Sequence, residues 1–174
     1  LDCFAVDTKN IAIAAGMNAI QAALYLEEGM EWEELKETVV KNLSRSKVFF
    51  SLSTLEYLKK GGRIGLVASL FGTLIDLKPV ISCNDDGVYY VAGKVRGRRQ
   101  SVEKAKELLK KFGSGAVRYN LAVMHGGAKD EIKKVKEDVL AMFPHPQVFV
   151  EGQISPALGV HTGPGLIGMA LQIL

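Results

Sequence analysis

The stretch VISCNDDGVYYV, residues 80–91, decides the fold class of this 174-residue chain. Two short runs of β-branched and aromatic residues stand on either side of Asn84-Asp85-Asp86-Gly87. Asp and Gly tolerate the backbone angles of a tight turn, so the stretch predicts a β-hairpin. An antiparallel sheet built around this hairpin is the basis for interpreting the rest of the chain.

The segments on both sides of the hairpin carry helix and strand signals. Apolar residues at helical spacing predict helices over 10–28, 31–45, 101–112 and 129–142, with a shorter one over 54–60. Runs of β-favouring residues predict strands over 1–7, 47–53, 119–124, 147–150 and 166–173. We therefore predict an α/β chain of the α+β type. Residues 1–55 form an incomplete βαα portion of a first domain, and residues 56–174 form a second domain with a mainly antiparallel sheet packed against helices.

The composition indicates a globular protein without a nucleic acid partner. Apolar residues make up 48% and charged residues 24%, and the net charge of +3 comes from 22 Lys+Arg against 19 Asp+Glu. That balance is too weak to predict binding of nucleic acid. The uncharged stretches 11–26, 64–75 and 153–174 are too short for a bilayer span or are broken by proline and glycine, so no stable membrane insertion is expected.

The two cysteines and the first residue carry expectations about location and chain length. Cys3 and Cys83 lie in apolar runs with no His or Cys at metal-ligand spacing. We interpret them as buried free thiols in a reducing cytoplasm and expect no metal site. Because Leu1 opens directly into an apolar run, without an initiator methionine, we expect this chain to be a piece of a longer polypeptide.

Two glycine-containing motifs are candidates for binding an anionic group. His161-Thr162-Gly163-Pro164-Gly165 places an imidazole and a hydroxyl before a loop whose amides can approach a carboxylate. Lys59-Lys60-Gly61-Gly62-Arg63 brings a forked guanidinium donor to the end of a helix. The alternatives are a tight turn before the last strand and a glycine helix stop with solvated cations.

Two further segments have both a functional and a structural interpretation. The residues Ile64 to Leu77 predict a helix without a polar face, which is either enclosed by protein or faces a bound apolar ligand. The basic patch predicted around α-helix 101–112 could meet an acidic partner or a phosphate, or could be a solvated surface. Its members are Lys94, Arg96, Arg98, Arg99 and Lys104.

Five stretches in this order resemble the DegV family of bacterial fatty-acid-binding proteins. They are VDTKNIAIAAG (6–16), LEYLKKGGRIG (55–65), GTLIDLKPVIS (72–82), KVRGRRQSVEKA (94–105) and GVHTGPGLIG (159–168). The resemblance covers essentially the whole chain and corresponds to the later part of the family's chain. It implies a two-domain α/β protein that encloses one long-chain fatty acid, with the acyl tail in an apolar tunnel.

The resemblance also implies a carrier function. Family members hand the fatty acid to the catalytic subunit of a fatty acid kinase, which forms the acyl phosphate, so no enzyme activity and no cofactor are expected of this chain. Arg63, His161 and Thr162 match residues that are expected to complete or support the family's head-group network, whose direct carboxylate ligands lie in the earlier part of the family's chain. Arg96, with Arg98 beside it, matches the kinase-docking segment. The expected tunnel-lining residues are Ile64, Leu66, Val67, Leu70, Phe71 and Leu74.

Two hypotheses from other classes remain open at this point. The chain could be an enzyme that acts on a small carboxylated or phosphorylated substrate, with His161 as general acid or base. It could also be an interaction module that uses only the basic patch.

Overall fold

The computed structural model describes residues 2–70 and 77–174. The helices in this part are α1 (Ala12–Glu27), α2 (Trp32–Asn42), α3 (Glu56–Lys60), α4 (Arg98–Phe112), α5 (Lys129–Met142) and α6 (Pro156–Thr162). The strands are β1 (Ser46–Ser51), β2 (Leu77–Cys83), β3 (Tyr89–Arg96), β4 (Tyr119–Gly126), β5 (Phe149–Gln153) and β6 (Leu166–Ile173). Short 3-10 segments follow α2 at Leu43–Arg45 and α3 at Gly65–Leu70.

The strands form a mixed sheet in the order β3-β2-β1-β6-β4-β5. Neighbouring strands are antiparallel from β3 to β4, and β4 and β5 are parallel. The hairpin predicted over residues 80–91 is present as β2 and β3, with a bulge between Val80 and Ile81. The predicted α/β class and the mainly antiparallel sheet are therefore confirmed.

Alternate residues along the central strands enter two separate cores. On β6, Leu166 and Ala170 belong to the core beneath α1, which also holds Ala14 and Met17. Ile167 and Met169 on β6 belong to the core formed with α4 and α5, because side chains on a strand alternate between faces. The sheet is thus the middle layer between α1 and the α4–α5 pair.

Buried amide side chains tie α1 to the sheet. The Asn120 amide nitrogen donates hydrogen bonds to the side-chain oxygens of Gln21 and Gln172, both at 2.9 Å. Gln172 in turn donates to the Asn18 oxygen at 3.2 Å. Because buried polar groups are costly without partners, this network fixes the face that α1 presents to β4 and β6. The first turns of α1 are thereby held over one end of the sheet.

Some local predictions were wrong. Residues 2–7 form no strand, because an apolar run becomes a strand only where a neighbour accepts and donates its backbone hydrogen bonds. Cys3 is exposed for the same reason, whereas Cys83 is buried, and both are free thiols. Burial raises the pKa of the Cys83 thiol to about 11, with nearby Lys47 opposing the rise.

The apolar segment 64–77 is not one helix. Gly65–Leu70 is a 3-10 segment and Leu77 already begins β2, while residues 71–76 lie outside the described part of the chain. The apolar residues of this segment leave no polar face. A fully buried strand shows the same pattern as a fully buried helix, so periodicity does not separate the two. Leu77 joins the sheet because it pairs with Arg96 of β3.

The sheet also crosses the predicted boundary between residues 55 and 56. β1 precedes that boundary, yet it lies between β2 and β6 and hydrogen-bonds to both. The helix α6 was not predicted at all, although Ser155 followed by Pro156 is a known helix-start signal. The α6 helix carries His161 and Thr162 in its last turn.

Candidate ligand-binding groove

An open, mainly apolar groove lies between the first turns of α1 and the helix α6. It has a volume of about 540 Å³, within the range of roughly 300–1,000 Å³ that is usual for small-molecule sites. Its walls come from Ile11, Ala12, Ile13, Gly16, Arg63, Tyr89, Met124, Ser155, Ala157, Leu158 and His161. None of these described wall residues is acidic, so the groove offers an anionic ligand no repulsion from its own walls.

The groove continues inward into a narrow apolar recess of about 30 Å³. Gly168 of β6 pairs in register with Phe50 of β1 and with Met124 of β4, and all three line the recess. Since Gly168 has no side chain, the space between its two neighbours stays open. The recess therefore exists because a glycine occupies a position of β6 that faces α1.

Arg63, Tyr89 and His161 stand on the polar side of the groove wall. Arg63 is exposed, and its guanidinium donates a hydrogen bond to the Gly61 carbonyl at 2.9 Å. Tyr89 is largely buried, which raises the pKa of its phenol to about 12; Cys83 adds to this rise and the Arg63 guanidinium opposes it. The phenol is a neutral O–H donor at physiological pH, as it would also be at the ordinary pKa of tyrosine. Sequence reasoning missed Tyr89, which belongs to the hairpin and not to either candidate motif.

Gly61 explains why the two candidate motifs meet. A side-chain carbon on Gly61 would collide with the imidazole Nδ1 of His161, so the end of α3 can approach the end of α6 only through a glycine. His161 Nδ1 is buried without a hydrogen-bond partner in the described part of the chain. The Lys59–Arg63 and His161–Gly165 motifs, nearly a hundred residues apart, thus form one side of the groove.

Thr162 lies elsewhere than expected. Its side chain lines the apolar recess, and its hydroxyl donates to the Leu158 carbonyl at 3.1 Å. The hydroxyl proton is therefore already used within α6. The structure brings Arg63 and His161 to one groove and places Thr162 deeper, so a direct head-group role for Thr162 stays a prediction.

The expected tunnel-lining segment does not line the groove or the recess with its described side chains. Val67 is fully buried in the core beneath α1, and Ile64 packs against that core. Phe71 and Leu74, like the side chains of Leu66 and Leu70, lie outside the described residues. The apolar walls come instead from separate segments, among them Ile11, Ile13 and Leu158, which no single sequence pattern connects.

Arg96 and Arg98 differ in what their side chains do. Arg96 ends β3 and is exposed, as expected of a docking residue. Arg98 is half-buried and paired with Glu131 at 3.0 Å. Its donors are used within the chain, so its position does not fit a docking surface.

The described residues hold neither a metal centre nor a membrane-spanning helix. Across residues 2–70 and 77–174, no group of three or more His, Cys, Asp or Glu side chains could hold a metal ion. In the same residues, no helix is both long and apolar enough to cross a bilayer.

The fold and the groove define the class: an α/β protein whose mixed sheet carries an apolar groove with proton donors on one side. A family model described as "Uncharacterised protein, DegV family" matches residues 1–173, and the chain belongs to the DegV family. The family resemblance inferred from the five sequence stretches is thereby confirmed.

Relatives in sequence support this assignment. A DegV domain-containing protein of Clostridium acetobutylicum is 38% identical over 168 residues, which are 97% of this chain and 59% of the relative. Protein DegV of Bacillus subtilis is 27% identical over 177 residues, covering 97% of this chain and 60% of its own length. The chain therefore spans about three fifths of the length of these relatives.

Solved structures share the fold and include proteins with bound fatty acid. One, described as fatty acid binding of a DegV family protein from Thermus thermophilus, is 30% identical, with a TM-score of 0.89 over 97% of this chain and 60% of that chain. A stearic acid-binding protein from Eubacterium ventriosum is 25% identical, with a TM-score of 0.85 over 97% and 58% of the two chains.

Proposed function

We propose that this protein binds one long-chain fatty acid in the groove, which is supported by its similarity to DegV proteins that are described as fatty-acid-binding. The observation that carries the proposal is the pairing of an apolar cleft with Arg63, Tyr89 and His161 on one side of it. The acyl tail lies along Ile11, Ile13 and the neighbouring apolar walls, and the carboxylate lies at the three donors.

The apolar tail and the charged head group of a fatty acid need different surroundings, and the groove offers both. Each methylene removed from water contributes about 0.8 kcal/mol. The carboxylate loses its hydration on entering the groove and needs charge-assisted hydrogen bonds to offset that loss. Arg63 supplies a permanent positive charge, and Tyr89 supplies the O–H of a neutral phenol.

This assignment makes the protein a carrier and not an enzyme. A carrier holds its ligand through donors and apolar contacts and needs no general base, and His161 has no acidic partner among the described groove residues. The proposal accordingly involves no metal and no organic cofactor, and it places the protein in the cytoplasm.

The direct test is native mass spectrometry of the protein incubated with stearic acid. We expect a single adduct of one stearic acid per chain, and a fluorescence displacement titration to give saturable binding. Stearyl alcohol, which has the same alkyl chain length with a hydroxyl in place of the carboxyl group, serves as the control ligand and should bind much more weakly. Equal binding of both ligands, or no stearic acid adduct, would contradict the proposal.

We further propose that a fatty acid kinase subunit docks on the basic patch. Lys94, Arg96 and Arg99 are exposed at the end of β3 and the start of α4, where a partner with an acidic surface can reach them. Arg98 is not part of this surface, because it is paired inside the chain.

Charge reversal at Arg96 tests the docking proposal. We expect Arg96→Glu to abolish binding of the kinase subunit in a pull-down and to leave the stearic acid content unchanged, because Arg96 does not line the groove. Lys129→Glu, an exposed charge reversal on α5, is the control. If Arg96→Glu still binds the kinase subunit as the unaltered protein does, the patch is not the docking surface.

A further inference from the structure

Arg98 connects four separate parts of the fold at one end of the sheet. It begins α4, and its guanidinium reaches the last residue of β1, the first turn of α5 and the loop before β6. Its side chain is 26% exposed, compared with the fully solvated position expected of a docking residue. Gly97 before it has a φ of 83°, which turns the chain from β3 into α4.

Each nitrogen of the Arg98 guanidinium donates a hydrogen bond. Nε and Nη2 donate to the two oxygens of Glu131 at 3.0 Å each, and Nη1 donates to the Ser51 hydroxyl at 2.9 Å. Nη2 also donates to the Gly165 carbonyl at 2.6 Å. Ser51 is itself held, because its hydroxyl contacts the Ser101 hydroxyl at 2.7 Å. The guanidinium is therefore fixed before it meets the loop.

Gly165 ends the loop that follows His161 and Thr162. Its N–H donates to the Gly126 carbonyl at 2.6 Å and its carbonyl accepts from Arg98, so the backbone of Gly165 is hydrogen-bonded on both sides. At the other end of the loop, Gly163 has a φ of 71°, and a side-chain carbon on it would collide with the ring of Tyr57. Gly163 directly follows α6, so these two anchors hold the end of the helix whose last turn carries His161.

We propose that Arg98 is a positioning residue, which fixes the His161–Gly165 loop and so keeps His161 in the groove. This inference rests on the proposed function, because the loop is useful only if His161 meets a carboxylate. Glu131 orients Arg98, and Arg98 orients the loop; neither touches the ligand. The role differs from docking, which Arg96 and Arg99 can perform from the surface.

Substitutions at position 98 distinguish this positioning role from a simple ion pair with Glu131. A lysine at position 98 keeps the charge, but one ammonium cannot reach Glu131, Ser51 and Gly165 in the fork geometry of a guanidinium. Exchanging the partners, as in the double variant R98E/E131R, restores opposite charges. A carboxylate at position 98 cannot donate to the Gly165 carbonyl, however, so the loop contact stays broken.

The test compares Arg98→Lys, Arg98→Met and the R98E/E131R double variant with the unaltered protein. Arg99→Met, one residue further along α4 and exposed, is the matched control. Three quantities are measured: the Gly165 amide and His161 ring resonances without ligand, the dissociation constant for stearic acid, and the thermal unfolding midpoint.

We expect the three Arg98 variants to shift the Gly165 and His161 resonances and to bind stearic acid about tenfold more weakly, because a displaced His161 no longer donates a hydrogen bond to the charged carboxylate. The double variant should recover the unfolding midpoint without recovering the resonances or the affinity. Arg99→Met should resemble the unaltered protein in all three measurements.

Two results would overturn the inference: unshifted Gly165 and His161 resonances in Arg98→Lys and Arg98→Met, or full recovery of the resonances in the double variant. If Arg98→Met fails to fold, Arg98→Lys and Glu131→Gln answer the same question. If the unaltered protein binds no stearic acid but the resonances shift, the loop contact is established and the carrier function is what fails.

Discussion

Replacing Gly16 with leucine is expected to weaken stearic acid binding about hundredfold and, at the same time, to stabilise the protein. Gly16 lies in the interior of α1 and lines the groove, and a side-chain carbon placed on it would meet only Ile13 at an ordinary distance of 3.6 Å. The leucine side chain therefore enters the groove and takes the place of about four ligand methylenes. At about 0.8 kcal/mol each, that is about 3 kcal/mol, or about two powers of ten in affinity.

The stability should move in the opposite direction. Glycine inside a helix is less favourable than alanine or leucine by roughly 0.5–1 kcal/mol, so the free energy of unfolding should rise by about that amount. Gly16→Ala is the matched control, since it gains the same helix stability and adds one carbon to the groove wall. Titration with stearic acid and urea unfolding measure the two effects. Unchanged affinity in Gly16→Leu would mean that the ligand does not use this groove.

The second large loss of affinity is expected when the Arg63 guanidinium and the His161 imidazole are removed together. The double variant Arg63→Met with His161→Ala is expected to bind stearic acid about hundredfold more weakly, because each hydrogen bond to a charged group contributes roughly 1.5–3 kcal/mol. The fold should survive. Arg63 is exposed with one described hydrogen bond, and truncating His161 opens space beside Gly61.

A graded series of variants distinguishes head-group recognition from a general loss of affinity. Arg63→Met and His161→Ala should each cost about tenfold, and Tyr89→Phe, which removes only the phenolic O–H, should cost less. Lys60→Met is the control, because it removes an exposed cation three residues from Arg63. The decisive comparison uses stearyl alcohol, which has the same chain length without the carboxylate and whose weaker binding should be the same in every variant. A parallel loss for stearyl alcohol and stearic acid would show that these residues shape the groove and do not hold the carboxylate.

Much of the secondary structure could be predicted because its signals are local. Asn84 to Gly87 carry the turn chemistry of the hairpin, and apolar residues at helical spacing mark α1, α2, α4 and α5. The strand that closes the chain, β6, was expected over residues 166–173 and spans Leu166–Ile173. In each case residues a few positions apart determine the conformation.

Only part of the candidate site could be predicted from the sequence. Arg63 and His161 were found because each stands in an unusual glycine motif, but nothing in the sequence shows that Gly61 lets the two motifs touch. Tyr89 looked like any aromatic residue of a hairpin. Its place in the groove wall depends on what the fold packs around the hairpin, and the same burial raises the pKa of its phenol.

Arg98 shows most clearly what a sequence leaves open. In the run KVRGRR it is one cation among several, and a docking role was the natural interpretation. Its partners Ser51, Glu131 and Gly165 lie 33 to 67 positions away along the chain, and only the packing of β1, α5 and the loop before β6 brings them together.

Most helices, strands and turns, and the family that the chain resembles, could be predicted from the sequence alone, because periodicity and motif order depend only on residues close together along the chain. The tertiary structure decided where the groove lies, which donors face it and which arginine is free. Those properties depend on contacts between distant segments, and such contacts exist only after the sheet has placed Ile11, Arg63, Tyr89 and His161 around one cleft.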